Sequence, residues 1–352
     1  MASPALAALA ARREQFNLTL LAMFPSVTEY LRDQGFTDDV RLISFLGMSK
    51  RRIFAHALRL RREQFDASVI PYAMNRLGYN VLARVIAARQ RIGFRYQRQC
   101  RINLPQLNQC VLDEDPSLHV VEENLRWAKL LLGDTNTALP DNLCYRVSAD
   151  ARRTADEFLR QQLLADASLL IGVHAGCNSL KNQHHRLWPS ASFARLIGRL
   201  LETRSHARVL LFQGPQDIEI NQVILSQLGD YRRDVVLVDR LPMRAVAVLI
   251  QRCRIFISND SGLMHTAAAC RVPCVAVFGP TNPNWVRPWK THCAVVSRRL
   301  LCSPCFYYSS RPLRCVAGID YACVRGMTLD EVLAPVQSLL AEADAKSITN
   351  PR

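Results

Sequence analysis

Residues 255–269 read Ile255-Phe-Ile-Ser-Asn-Asp-Ser-Gly-Leu-Met-His-Thr-Ala-Ala-Ala269. A β-branched and aromatic run, expected as a strand over 254–258, passes without a linker into Asn259-Asp260-Ser261-Gly262. A helix of small residues, expected over 261–270, follows at once. A strand feeding directly into a helix is the repeating unit of a parallel α/β sheet. Asp260 and Ser261 are natural helix N-caps. Gly262 withholds a side chain where the first free N–H groups of the helix point outward. A diphosphate at that end gains from the free donors and from the positive end of the helix dipole. His265 lies one turn in, on the side of Asp260 and Ser261, and can add a proton-bearing contact to phosphates or to a leaving group. The plainer alternative is an ordinary capped helix packed by Ala267–Ala269, so the decision rests on what surrounds the segment.

Three further strand-end loops carry glycine. An expected strand at 273–278 ends in Gly279-Pro280-Thr281-Asn282-Pro283. One at 168–173 ends in His174-Ala175-Gly176-Cys177-Asn178 and leads through basic residues to Arg186-Leu187-Trp188-Pro189. One at 207–212 ends in Gln213-Gly214-Pro215-Gln216-Asp217. Parallel strands present their carboxyl ends on one edge, where such sheets bind ligands. Four glycine-bearing loops on one edge make a nucleotide-diphosphate site, a far more specific signal than any lone glycine loop.

The same alternation extends over the chain. The second half adds a strand at 235–238 and helices at 192–203, 217–228, 242–253 and 329–343. In the first half the expected strands are 18–22, 40–43, 67–71 and 91–94, with helices at 3–15, 26–34, 50–62, 75–87 and 118–132. Residues 95–117 read as irregular. Between 134 and 149 the chain turns polar and loses its period, with Pro140 inside. These features predict two α/β domains, 1–150 and 151–352, with βαβ units in both and a doubly wound sheet in the second. At 352 residues the length suits two cores.

The net charge is +15 and rests on arginine, since only five of the 45 basic residues are lysine. Fourteen Arg or Lys against two acids, Glu63 and Asp66, lie between Arg41 and Arg101. Solvated basic helix faces, an anionic acceptor and membrane headgroups all answer to that excess. Nucleic acid does so less well, because no stacking aromatics interleave with these arginines. No apolar run is long enough to span a bilayer. Residues 2–11 are apolar but end in Arg12-Arg13-Glu14, the reverse of a secretory signal. Twelve cysteines in such a chain imply reduced thiols, so the expected location is cytoplasmic, with peripheral contact on the inner membrane as an extension.

The run Ser258-Asn-Asp-Ser-Gly-Leu-Met-His, followed by Val277-Phe-Gly-Pro-Thr-Asn-Pro, closely resembles the heptosyltransferases of glycosyltransferase family 9. His174-Ala-Gly, Arg186-x-Trp-Pro and Gly214-Pro-x-Asp match in the same order. The resemblance covers 1–343 and is strongest over 168–290. It implies a GT-B fold of two Rossmann-like domains facing a cleft. It also implies inverting transfer of a heptose from ADP-heptose to a lipopolysaccharide core or a related, anionic glycan. Donor-binding roles then fall to Asp260, Ser261, Gly262, His265, Gly176, Cys177, Arg186, Gly279 and Thr281. Asp217 or Glu219 would hold the ribose, and Leu241 would line the adenine pocket. Arg186 and His265 would stabilise the departing nucleoside diphosphate, with no catalytic metal or other cofactor required. Where relatives often carry lysine, Arg186 keeps the charge with altered geometry.

One departure concerns the start of the chain. The family pattern opens with a strand and a Gly-Asp loop whose aspartate deprotonates the acceptor, ahead of a helix like Ser3-Pro4-Ala5-Leu6-Ala7-Ala8-Leu9. This chain begins at that helix, so no general base is assigned. A missing segment is the preferred expectation. The alternatives are an inactive nucleotide-sugar-binding homologue or a transferase using another donor.

Cys302-x2-Cys305-x9-Cys315-x7-Cys323 is a separate cluster whose four thiols could close a tetrahedral structural site for zinc or iron. Idle reduced thiols and, less favoured, disulfides are the alternatives. Similar clusters occur in some members of the family.

Overall fold

The computed structural model describes residues 1–349 except 46, 99, 134–138, 141, 144, 166, 168, 178–179 and 309–310. The start of the expected strand at 168, Asn178 and part of the polar stretch 134–149 therefore lie outside the described residues. Two compact units are present: Met1–Asn142 with Tyr307–Ser310, and Leu143–Phe306 with Arg311–Arg352. The change of unit falls at Asn142, inside the polar stretch 134–149.

In the first unit, β1 (Thr19–Ala22) pairs in parallel with β2 (Asp39–Leu42). A second parallel sheet joins β3 (Ala67–Val69), β4 (Gln90–Arg95) and β5 (Cys110–Asp113). β5 lies inside the stretch read as irregular. It is a four-residue edge strand, half-buried over Cys110–Leu112, and so lacks the apolar run that marks a central strand. The first helix is Ser3–Ala10, shorter than the expected 3–15, and the polar residues Arg12–Gln15 form turns.

In the second unit, six strands form one parallel sheet among the described residues: β6 (Leu169–His174), β7 (Ala207–Phe212), β8 (Val235–Val238), β9 (Ile255–Asn259), β10 (Cys274–Phe278) and β11 (Cys293–Ser297). Their order is β11-β10-β9-β6-β7-β8. Every residue of β6, β9 and β10 is buried, as expected of a parallel sheet covered on both faces. β11 escaped the sequence reading because it is an edge strand, mostly half-buried.

Side chains alternate between two cores, as the period of a strand requires. Leu169, Ile171 and Val173 of β6, Val209 and Leu211 of β7, Ile257 of β9 and Val277 of β10 enter one core. The helices Ser190–Thr203 and Leu329–Thr349 supply its outer layer through Phe193, Leu196, Ile197, Val332 and Val336. Leu170, Leu210, Phe212, Phe256 and Cys274 enter the other, beneath Ala149–Gln161 and Met243–Arg252. Burying each such large apolar side chain stabilises the unit by roughly 1.5–3 kcal/mol. Gly172 of β6 is required by this packing, since a Cβ there would stand 2.5 Å from the Phe256 ring.

Candidate functional site

β10, β9, β6 and β7 are four consecutive neighbours and all pair in parallel, so the loops 279–283, 259–262, 174–177 and 213–217 leave the sheet on one edge. Between β6 and β9 the strand order reverses: the chain runs outward through β7 and β8, then starts the other half at β9. Ligands of open α/β sheets bind in the crevice at such a switch point. The loops after β6 and β9 flank it.

Side chains tie these loops together. Asn259 accepts from the Trp188 backbone N–H at 3.0 Å and donates to the Ala175 carbonyl at 2.7 Å. The Trp188 indole N–H donates to the Met327 carbonyl at 3.0 Å, which fixes the Arg-x-Trp-Pro segment from beneath. Arg186 ends the 3-10 helix Leu180–Arg186 and reaches two neighbouring loops as well as its own helix. Its Nη1 is 2.6 Å from Asp260 Oδ2 and 3.5 Å from Thr281 Oγ1, and its Nη2 donates to Gln183 Oε1 at 2.7 Å. The Phe306 ring lies 5.5 Å from the guanidinium carbon. Arg186 Nε is buried with no hydrogen-bond partner among the described residues.

A second network is buried beside the first. Asp217 Oδ2 accepts from the Gly214 N–H at 2.7 Å and lies 3.2 Å from His174 Nε2. His174 Nδ1 is 3.0 Å from Ser261 Oγ, itself 2.9 Å from Ser258 Oγ. Each ring nitrogen of His174 thus faces one buried partner, the carboxylate at Nε2 and the hydroxyl at Nδ1. The order carboxylate–imidazole–hydroxyl is that of a hydrolytic relay. Here, however, Ser261 is 6% exposed and its oxygen also caps the helix Gly262–Ala269 by accepting from the Met264 N–H at 3.4 Å. A hydroxyl so enclosed orients a loop rather than attacking a substrate. Sequence reading assigned no role to His174, Ser258 or Asn259. Their signal was polar residues at the ends of otherwise apolar strands.

The other expected donor residues divide by exposure. Gly262 opens its helix, is exposed, and would place a Cβ in open space, with nothing within 4 Å. His265 is half-buried one turn in. Glu219 is exposed in the first turn of the helix Ile218–Ser226, while Asp217 is 5% exposed and turned into its network. Of these two acids only Glu219 is exposed. Leu241, half-buried beyond β8, packs against the second core. Gly176 is held against Asp217, where a Cβ would meet Oδ1 at 1.8 Å. Gly279 is likewise internal, because a Cβ would meet Val324 Cβ at 2.8 Å. The buried Cys177 thiol donates to the Gln183 carbonyl at 3.2 Å, and desolvation pushes its pKa up to about 11. Thr281 is 3% exposed, beside Arg186.

Cys302, Cys305 and Cys315 are half-buried and Cys323 is buried. Burial raises Cys323 to about 11, and charge on the other three thiols adds to the rise. Cys315 is lowered, chiefly by the Tyr321 backbone N–H and further by those of Ile319, Ala317 and Gly318. Among the described residues no group of three or more His, Cys, Asp or Glu side chains is gathered so as to hold a metal ion.

With this geometry established, similarity to known proteins is informative. A family-wide profile described as glycosyltransferase family 9 (heptosyltransferase) matches residues 53–315. The chain is 29% identical over 150 residues to lipooligosaccharide heptosyltransferase 2 of Haemophilus influenzae, covering 42% of each protein. It is 30% identical over 157 residues to lipopolysaccharide heptosyltransferase 2 of Salmonella typhimurium, covering 44% of this chain and 43% of that one. The chain thus matches less than half the length of either relative. The structure of Escherichia coli ADP-heptose lps heptosyltransferase II superposes with a TM-score of 0.71 at 19% identity, covering 97% of this chain and 95% of that one. The fold is GT-B, as expected from the sequence.

Proposed function

This chain belongs to glycosyltransferase family 9, the heptosyltransferases, and from that premise we propose that it transfers a heptose from ADP-heptose to a lipopolysaccharide core or a related anionic glycan. The observation that carries the proposal is the convergence of Arg186, Asp260 and Thr281 beside the open N-terminus of the helix Gly262–Ala269, at the switch point of the sheet.

In the proposed reaction an acceptor hydroxyl oxygen bonds to the anomeric carbon as the bond from that carbon to the ADP β-phosphate oxygen breaks, with inversion. The hydroxyl proton leaves to a general base. Negative charge grows on the departing diphosphate, and fixed donors stabilise it without reorganising. Arg186, His265 and the free N–H groups at Gly262 supply those donors. Asp260 acts through Arg186: an unpaired carboxylate would repel the phosphates, whereas a paired one holds the guanidinium in place. Ser261 caps the helix end, while Gly176, Cys177, Asp217 and Gly279 shape the loops around it. Glu219 is the preferred ribose contact, and Leu241 lines the adenine side. The acceptor places the enzyme at the cytoplasmic face of the inner membrane. The proposed contact is peripheral; among the described residues no helix is long and apolar enough to cross that membrane.

We include a structural zinc or iron at Cys302, Cys305, Cys315 and Cys323 as a separate element of the proposal. The donor set suits either metal, and the backbone N–H groups around Cys315 favour its thiolate. Metal analysis of the purified protein, with and without a Cys302→Ser/Cys305→Ser double change, tests it. A metal content near zero in the unchanged protein rejects it.

Calorimetric titration with ADP, ADP-heptose, and UDP- and GDP-sugars tests the main reading. Selective micromolar binding of the adenine compounds is expected, lost in Asp260→Ala and weakened in Glu219→Ala. Binding of another nucleotide would replace the donor, and binding of none would leave an inactive homologue in its place.

A further inference from the structure

The helix Lys50–Arg61 reads Lys-Arg-Arg-Ile-Phe-Ala-His-Ala-Leu-Arg-Leu-Arg, and Arg62 follows as its C-cap. It is anchored in the first unit by Ala57 and Leu60, which join Ile43 and Ile86 in a small core. Its other side faces solvent. Phe54 and Leu58, one turn apart, are 54% and 39% exposed. Around them Lys50, Arg51, Arg52, Arg59, Arg61 and Arg62 are all exposed, and none makes an ion pair among the described residues. Glu63, the nearest acid in the chain, is taken by Arg41 at 2.6 and 2.9 Å.

Helical spacing puts Phe54 and Leu58 on one stripe, with Arg51, Arg61 and Arg62 on its borders. Three of the cations, Lys50–Arg52, stand in the first turn, where they oppose the helix dipole. Helix stability therefore does not explain them. Exposed apolar residues bordered by unpaired arginines match a surface that is greasy beneath and anionic on top, which is a bilayer with acidic headgroups. A duplex would use the charges but leave Phe54 and Leu58 without a partner.

We propose that this helix face docks the protein on an anionic lipid bilayer, with Phe54 and Leu58 entering the headgroup region and the cations that border them, Lys50, Arg51, Arg61 and Arg62, contacting acidic lipids. The proposal rests on the reading of the acceptor as membrane-borne and identifies the surface that meets the membrane.

The test is co-sedimentation of the full chain with vesicles of phosphatidylcholine alone and of phosphatidylcholine with added phosphatidylglycerol. Binding to the anionic vesicles only is expected, weakening as salt is raised. The combined changes Arg51→Glu, Arg61→Glu and Arg62→Glu should weaken it by roughly tenfold or more, and Phe54→Ser by severalfold. A Phe54→Trp protein should show a blue-shifted emission increment on anionic vesicles. No anionic-vesicle binding at low salt, or binding that survives the triple change, overturns the proposal. So does equally tight binding to a DNA duplex through the same arginines with no effect of Phe54→Ser. ADP titration separates the two readings: in the unchanged protein, intact ADP binding without anionic-vesicle binding rejects the docking face alone, and vesicle binding without ADP binding rejects the donor assignment alone, while the surface variants should bind ADP like the unchanged protein.

Discussion

Arg186 Nη1 lies 2.6 Å from Asp260 Oδ2, with the two side chains 11% and 7% exposed. A pair this enclosed is scarcely screened, and removing one partner strands the other's charge. Asp260→Ala is expected to destabilise the second unit by about 3–5 kcal/mol, read as a lowered urea midpoint. Arg186→Lys keeps the charge but loses the fork that spans Asp260, Thr281 and Gln183. Its unfolding midpoint should fall less than that of Asp260→Ala, while its ADP affinity falls clearly. Equal midpoints for Asp260→Ala and the unchanged protein would refute the buried pair.

Two glycines should respond in opposite ways. Gly176→Ala drives a Cβ to 1.8 Å from Asp217 Oδ1, forcing the carboxylate away from His174 and the Gly214 N–H. A loss of about 1–3 kcal/mol is expected. Gly262→Ala meets nothing within 4 Å and opens a helix, so stability should hold or rise slightly. If a diphosphate seats there, affinity for ADP should still drop. Thermal unfolding and calorimetry on the pair separate packing from binding.

Asp217 and Glu219, two residues apart, are expected to part company. Asp217→Asn keeps the shape but weakens the contacts to His174 and Gly214, lowering the unfolding midpoint. Glu219→Ala should leave the midpoint within about 0.5 kcal/mol, as exposed substitutions do, and raise the Kd for ADP. A Glu219→Ala protein that binds ADP normally would return the ribose role to another residue.

Thiol reactivity should follow environment. Backbone N–H groups hold the Cys315 pKa below the ordinary thiol value, whereas desolvation raises Cys177 to about 11 and Cys253 higher still. In metal-free protein at neutral pH, iodoacetamide followed by peptide mapping should modify Cys315 first and Cys177 and Cys253 only on unfolding. The sign follows from the lowered folded pKa: the Cys315 thiolate adds stability above the usual thiol pKa and loses it as pH falls through the folded value. Labelling of Cys253 ahead of Cys315 would contradict this ordering.

Much of the second unit was legible because its information is local. Apolar runs such as Ile255–Ile257 and Cys274–Phe278 are long enough to declare buried strands, and glycine-bearing loops announce their ends. The edge strands β5 and β11 were not legible, since a half-buried strand of four or five residues carries too few apolar positions for a period to stand out. The division of labour between Asp217 and Glu219 was likewise hidden. Both are acids after a Gly-Pro turn, and only the closeness of Gly176 and His174 turns one of them inward.

By itself, then, the sequence determined the α/β alternation, the glycine-bearing strand-end loops and the family resemblance, because each is written in contiguous residues with a characteristic period or turn. Tertiary structure alone decided which polar side chains meet. Asp260 pairs with a residue 74 positions away, and His174 bridges positions 217 and 261. Those partners are chosen by strand order, through the reversal that sets β6 beside β9. No local pattern in the chain records that order.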